Sequence, residues 1–213
     1  MKTNTLPMAA ESFYHVYNRG VNGENIFKEY KNYAYFLSKY AQFVSPVAET
    51  YAYCLLGNHF HLLIRTHSDT QIRSNLINAS TTKIPPNLDK YETHWLISNA
   101  FASLFKGYAQ TINKTYKRTG ALFEEPFRRI LVDTEDYFSE LIYYIHHYPQ
   151  KHGFVANFKT YEHSSYAAHL SENPTKLNRN AVLDWFGGLQ AFEHFHTRTP
   201  VLKHIAKYDI EEG

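Results

Sequence analysis

Apolar and polar positions along the chain change period several times, and the changes mark the elements. Phe13-Tyr14-His15-Val16-Tyr17-Asn18-Arg19 alternates and is rich in aromatic and β-branched side chains, as a half-buried strand requires. Residues 20–23 read as a turn. Between residues 29 and 44, Tyr33, Phe36, Leu37, Tyr40 and Phe43 recur at three- and four-residue steps, one face of a helix that Pro46 stops. Residues 50–56 and 61–65 are two strand-like runs with Gly57-Asn58 between them, a hairpin signal. Residues 70–90 are polar and predict a helix followed by a loop near Pro85-Pro86. The longest helical pattern, 94–117, aligns Phe101, Leu104, Phe105, Tyr108 and Ile112, and Arg118-Thr119-Gly120 ends it. Residues 127–132 read as another strand. Thr134-Glu135-Asp136 then opens a helix with an N-cap and an acidic first turn, running to Pro149. After His152-Gly153 the chain reads as irregular, with a last helical stretch at 181–185. Strands with intervening helices in this order predict an α+β sandwich on an antiparallel sheet.

Composition adds constraints. The 213 residues suit one generous domain, or one domain with a terminal appendage, at 44% hydrophobic and 20% charged. The single cysteine, Cys54, excludes an internal disulfide framework and a cysteine-cluster zinc site. No apolar run is long enough to cross a bilayer and Met1-Lys2-Thr3-Asn4-Thr5 lacks a signal-peptide core, so a cytoplasmic protein without membrane contacts is expected. Tyrosine at 18 and histidine at 13 are each about two to three times average usage. The net charge of +2 hides an uneven distribution. Lys106, Lys114, Lys117, Arg118, Arg128 and Arg129 meet only Glu124 and Glu125, whereas Asp209-Ile210-Glu211-Glu212 is acidic. A basic stretch interleaved with aromatics suits nucleic-acid backbones and stacked bases, and equally a solvated helix face.

Two groups of residues carry candidate chemistry. In His59-Phe60-His61 the imidazoles, two apart on a strand, share a face and are able to meet one metal ion. The spacing alone is weak, since this composition yields about one such pair by chance. His194-Phe195-His196 repeats the tripeptide and serves as a control; only the first pair opens onto an apolar strand, Leu62-Leu63-Ile64, while the second lies in a polar aromatic tail. The other group is Tyr143-Tyr144-Ile145-His146-His147-Tyr148, where Tyr144 shares a helix face with His147 and Tyr148. A phenol beside a metal site is a nucleophile for phosphoryl transfer; the same spacing also suits an aromatic core stripe.

Five segments occur together in a fixed order: Tyr14-His15-Val16-Tyr17-Asn18-Arg19-Gly20, Asn25-Ile26-Phe27, Tyr51 through Gly57-Asn58-His59-Phe60-His61-Leu62-Leu63, Arg118-Thr119-Gly120-Ala121-Leu122-Phe123, and Tyr144-Ile145-His146 through Lys151-His152-Gly153-Phe154-Val155. Tyr161-Glu162-His163-Ser164-Ser165-Tyr166 follows them. In this order the chain resembles the single-tyrosine HUH transposases, and within them the REP-associated tyrosine transposases, over roughly residues 13–170. The resemblance implies an antiparallel sheet with flanking helices, the ferredoxin-like HUH endonuclease fold, acting on single-stranded or hairpin DNA. It implies His59 and His61 as ligands of a divalent cation, Mg²⁺ or Mn²⁺, and Tyr144 as the nucleophile that forms a 5′-phosphotyrosine.

One position departs from the pattern. Four residues after the tyrosine that branch usually carries Asn, where this chain has Tyr148, a poorer ligand for a hard cation. His147 is then a candidate third ligand, and a weakened site would leave a hairpin-DNA-binding regulator on the same fold. A histidine-metal phosphoesterase using His146, His147 and His152 is a more distant rival. The sequence predicts an HUH domain over residues 10–170 and a C-terminal extension over 171–213, monomeric or homodimeric. Lys114, Lys117, Arg118, Arg128 and Arg129 are candidate phosphate contacts, with Tyr116 and Phe123 for stacking.

Overall fold

The computed structural model describes residues 6–79 and 87–198; Pro85-Pro86 and the acidic residues 209–212 lie outside them. Four strands, β1 (Phe13–Arg19), β2 (Ala48–Leu55), β3 (His59–Thr66) and β4 (Arg128–Val132), form one sheet in the order β2-β3-β1-β4, antiparallel throughout. Helix α1 (Tyr30–Phe43) joins β1 to β2, while α2 (Asp69–Asn78) and α3 (Thr93–Thr115) lie between β3 and β4. This is the split β-α-β topology of ferredoxin-like sheets. β4 is followed by α4 (Glu135–Lys151), α5 (Tyr166–Leu170), α6 (Arg179–Phe186) and α7 (Leu189–Thr197).

Strand alternation sends side chains into two cores. Tyr14 and Val16 from β1, with Phe60, Leu62 and Ile64 from β3, pack against Phe36 and Tyr40 of α1 and Phe101, Leu104 and Tyr108 of α3. Leu63 of β3 faces the opposite layer, where Leu141 and Ile145 of α4, Val182 of α6 and Phe192 of α7 are fully buried. His15, Tyr17, His59 and His61 are therefore on the α4 side of the sheet.

Several elements run further than their sequence pattern predicts. β3 begins at His59 rather than 61, because His59 is already paired with Arg19. α4 continues past Pro149 to Lys151: a proline in the final turn removes only one ladder bond. The stretch read as a polar aromatic tail is helix α7, whose Phe192 is inserted into the second core. The C-terminal segment also covers the β2 edge, with Asn178 N–H donating to Thr50 O at 2.8 Å and Leu55 N–H to His163 O at 2.9 Å. Among the described residues no helix is long and apolar enough to cross a membrane.

Candidate functional site

β3 places His59 and His61 on one face, opposite α4, and their ring centroids are 5.4 Å apart. Each ring is held through Nδ1. His59 Nδ1 lies 2.6 Å from the Asn58 side-chain oxygen, so it carries the proton and donates. His61 Nδ1 lies 2.9 Å from His15 Nε2. The Nε2 atoms of both rings are buried with no hydrogen-bond partner. Burial lowers the His59 pKa to about 4 and that of His61 well below its ordinary value, so both are neutral near pH 7. Two neutral imidazoles, each engaged at Nδ1 and each with a buried Nε2 that meets no hydrogen-bond partner, suit metal ligation, and the Asn58 contact leaves the His59 Nε2 as a bare lone pair. No cluster of three or more His, Cys, Asp or Glu side chains suited to a metal occurs among the described residues.

The α4 surface opposite the pair follows from its register. Thr134 caps the helix, its hydroxyl accepting from Tyr137 N–H at 3.2 Å, and Glu135 and Asp136 occupy the first turn. With Leu141 and Ile145 buried against the sheet, Tyr144 and Tyr148 point at the histidines. The Tyr144 ring lies 5.9 Å from His61 and 5.0 Å from Tyr148, and Lys151 Nζ lies 5.4 Å from its centroid. Tyr148 lies 4.4 Å from His61 and 5.1 Å from His59. Tyr143 points away and stacks on His147 at 3.7 Å.

A cleft of about 260 Å³ opens over the histidine pair. Tyr17, Arg19, Asn58, Glu124, Arg128, Tyr148, His152 and Phe154 line it with the pair. Arg19 Nε donates to Glu124 at 2.6 Å across one side. A second depression of about 790 Å³ between α3 and residues 120–127 shares Asn18 and Glu124 with this cleft and includes Lys106.

The remaining sequence candidates are dispersed. His147 does not reach the pair; its ring lies between Tyr143 and Phe158, at 3.7 Å from each, and its Nδ1 donates to Tyr143 O at 3.0 Å. The histidine of this segment that lines the cleft is His152, which the sequence raised only for the phosphoesterase alternative. Arg128 lines the cleft, but Arg129 projects from the opposite face and donates to Leu6 O at 2.7 Å. Arg118 is engaged by Asn113 and Glu24, and Tyr116 donates to Glu29 at 2.8 Å. Phe123 is largely buried in the first core and lines the second depression rather than the histidine cleft. Lys114 and Lys117 are exposed at the end of α3, outside the cleft lining. Arg19, Asn58 and Phe154 also line the cleft, and strand alternation puts Arg19 on one face with His15 and Tyr17.

The control pair behaves differently. His194 and His196 sit on a helix, where a spacing of two turns side chains about 200° apart; His194 is exposed and His196 is buried. His196 Nδ1 donates to Phe192 O at 2.8 Å, its Nε2 accepts from His146 Nδ1 at 2.8 Å, and His146 Nε2 accepts from the Ser165 hydroxyl at 2.8 Å. Ser165 in turn accepts from Tyr53 N–H at 2.9 Å. Every ring nitrogen in this chain is used, so it binds α7 to α4 and to the sheet edge.

No family model and no curated protein sequence matches the chain. The fold matches the solved structure of a REP-associated tyrosine transposase bound to a REP hairpin, with a TM-score of 0.52 and 14% identity over 82% of this chain and 88% of that one. The antiparallel α+β architecture is thus the fold of that solved structure.

Proposed function

We propose that the chain is a metal-dependent enzyme that cleaves and rejoins single-stranded or hairpin DNA through a tyrosine. The observation that carries this reading is the pair of partnerless, buried Nε2 atoms on His59 and His61, with the Tyr144 ring 5.9 Å and the Tyr148 ring 4.4 Å from that of His61. His59 and His61 would hold a divalent cation, Mg²⁺ or Mn²⁺, with the remaining sites left to phosphate oxygens and water. When bound, such an ion neutralises charge on the scissile phosphate and polarises it. Arg128 contributes a further positive charge at the cleft. Asn58 keeps the His59 imidazole in the ligating tautomer, and a proton on His61 Nδ1 donated to His15 Nε2 would do the same for His61. The Tyr144 hydroxyl attacks phosphorus in line, its Oη–P bond forms as the P–O3′ bond breaks, and the phenol proton ends on the released 3′-oxygen. Attack by another 3′-hydroxyl reverses the step and transfers the strand.

A second assignment within this reading makes Tyr148 the nucleophile. It is favoured by the cleft lining, which includes Tyr148 and not Tyr144, and by the contact of Tyr148 with both histidines. Incubation with a labelled hairpin and Mg²⁺ or Mn²⁺, followed by a denaturing gel and mapping of the modified peptide, tests both. Tyr144→Phe should abolish the adduct and spare binding; an adduct that persists in Tyr144→Phe and disappears in Tyr148→Phe assigns Tyr148. Hairpin binding with no adduct in either metal would leave a DNA-binding regulator.

A further inference from the structure

Phe154 is 47% exposed, although it lies immediately beyond a helix end. α4 stops through Gly153, whose φ of 73° is left-handed, and Phe154 N–H then donates to Pro149 O at 2.8 Å. At such an end the following apolar residue ordinarily folds back onto the last turns of the helix. Here the ring instead stands in the wall of the histidine cleft, with Arg128 and Arg19 also lining it. The capping bond fixes where its backbone leaves the helix, and so places the ring at the cleft wall. An exposed aromatic face beside the exposed cation Arg128 has the chemistry of a base-stacking platform.

We propose that Phe154 forms the subsite for one unpaired nucleobase next to the phosphate held at the histidine pair, with Arg128 on the adjoining backbone. This rests on the DNA-cleavage reading above. A base offers its face only when its neighbour on one side is missing, so the subsite would favour the single-stranded extension of a hairpin over its stem. The same position would set the cleavage site at a fixed distance from the base that stacks.

The test uses the full chain with Ca²⁺ and three probes: a blunt hairpin, the hairpin with a single-stranded extension, and a series in which an abasic residue is moved along that extension. Phe154→Ala should weaken binding of the extended hairpin by about 10-fold or more, as expected for loss of one stacked base. Phe154→Trp should retain it, and the blunt hairpin should bind both variants alike. One abasic position should weaken wild-type binding by a similar factor and add nothing in Phe154→Ala. Wild-type affinity of Phe154→Ala for the extended hairpin, or abasic losses that multiply with the substitution at every position, would overturn the subsite. In that case, adduct formation by the wild-type chain would leave the cleavage reading standing. Failure of the wild-type chain to bind any hairpin would remove both.

Discussion

Asn58 hydrogen-bonds His59 Nδ1 at 2.6 Å and so fixes which ring nitrogen faces the cleft. Supporting bonds of this kind typically change metal affinity by about 10–100-fold when lost. Asn58→Ala should therefore weaken Mn²⁺ binding by about that factor, as read by calorimetry, while thermal unfolding stays near wild type. Unchanged affinity would mean that the bond does not orient a ligand. The contrast with the second histidine pair is equally direct. His59→Ala removes a bare lone pair and should abolish metal-dependent cleavage with little loss of stability. His196→Ala instead breaks a buried chain and leaves the His146 Nδ1–H without an acceptor, at a cost of about 1–3 kcal/mol. Its folded fraction should retain cleavage. Equal loss of cleavage with equal stability in the two variants would sink the distinction.

At the scale of elements, α4 carries Tyr144 and Tyr148 and delivers His152 and Phe154 at its end, so its start matters to a site several turns away. Thr134→Ala removes the N-cap and should lower stability by about 1 kcal/mol in urea titration, with cleavage unchanged below the transition. A loss of activity without a loss of stability would show that Thr134 does more than cap. The sheet, α1, α3 and α4 are legible in the sequence because their apolar periods are long and their caps are explicit. His59 and His61 are legible as a same-face pair for the same reason. The register of α4 is legible too, since burial of Leu141 and Ile145 leaves Tyr144 and not Tyr143 toward the sheet. The place of His147 is not: three residues after Tyr144 it shares the helix face on a wheel, yet the sheet is met by Tyr148, and His147 lies instead against Phe158 and His196. α7 itself escapes notice because only Phe192 and His196 of its residues are buried, too few to set a helical period. Phe154 is invisible for a different reason, since nothing local says whether an aromatic after Gly153 folds inward or stands in a cleft.

Over the whole molecule, histidine works mainly as a neutral, buried residue. His196 is held down to about 3 and His169 to about 4 by burial, and His146 lies well below its ordinary value for the same reason. Unfolded imidazoles take up protons near pH 6.5, whereas these resist, so the stability they contribute is full above about pH 6.5 and is lost as the pH falls toward their folded values. Each such residue costs about 1.4 kcal/mol per pH unit over that window. The urea midpoint should fall clearly between pH 7 and pH 5, and a flat midpoint would contradict the neutral chain of Ser165, His146 and His196. Charge is distributed with similar selectivity. Arg118 and Arg129 are engaged within the fold, while Arg128 is exposed at the cleft. Binding of a hairpin with a single-stranded extension should weaken with salt, with a log–log slope of about −0.7 for each phosphate neutralised on the single strand. Arg128→Ala should make that slope shallower by about 0.7, whereas Arg129→Ala, on the other face of the sheet, should leave it unchanged. Should Arg129→Ala change the slope and Arg128→Ala not, the DNA backbone would run over the opposite face, and the cleft above His59 and His61 would not be where the strand lies.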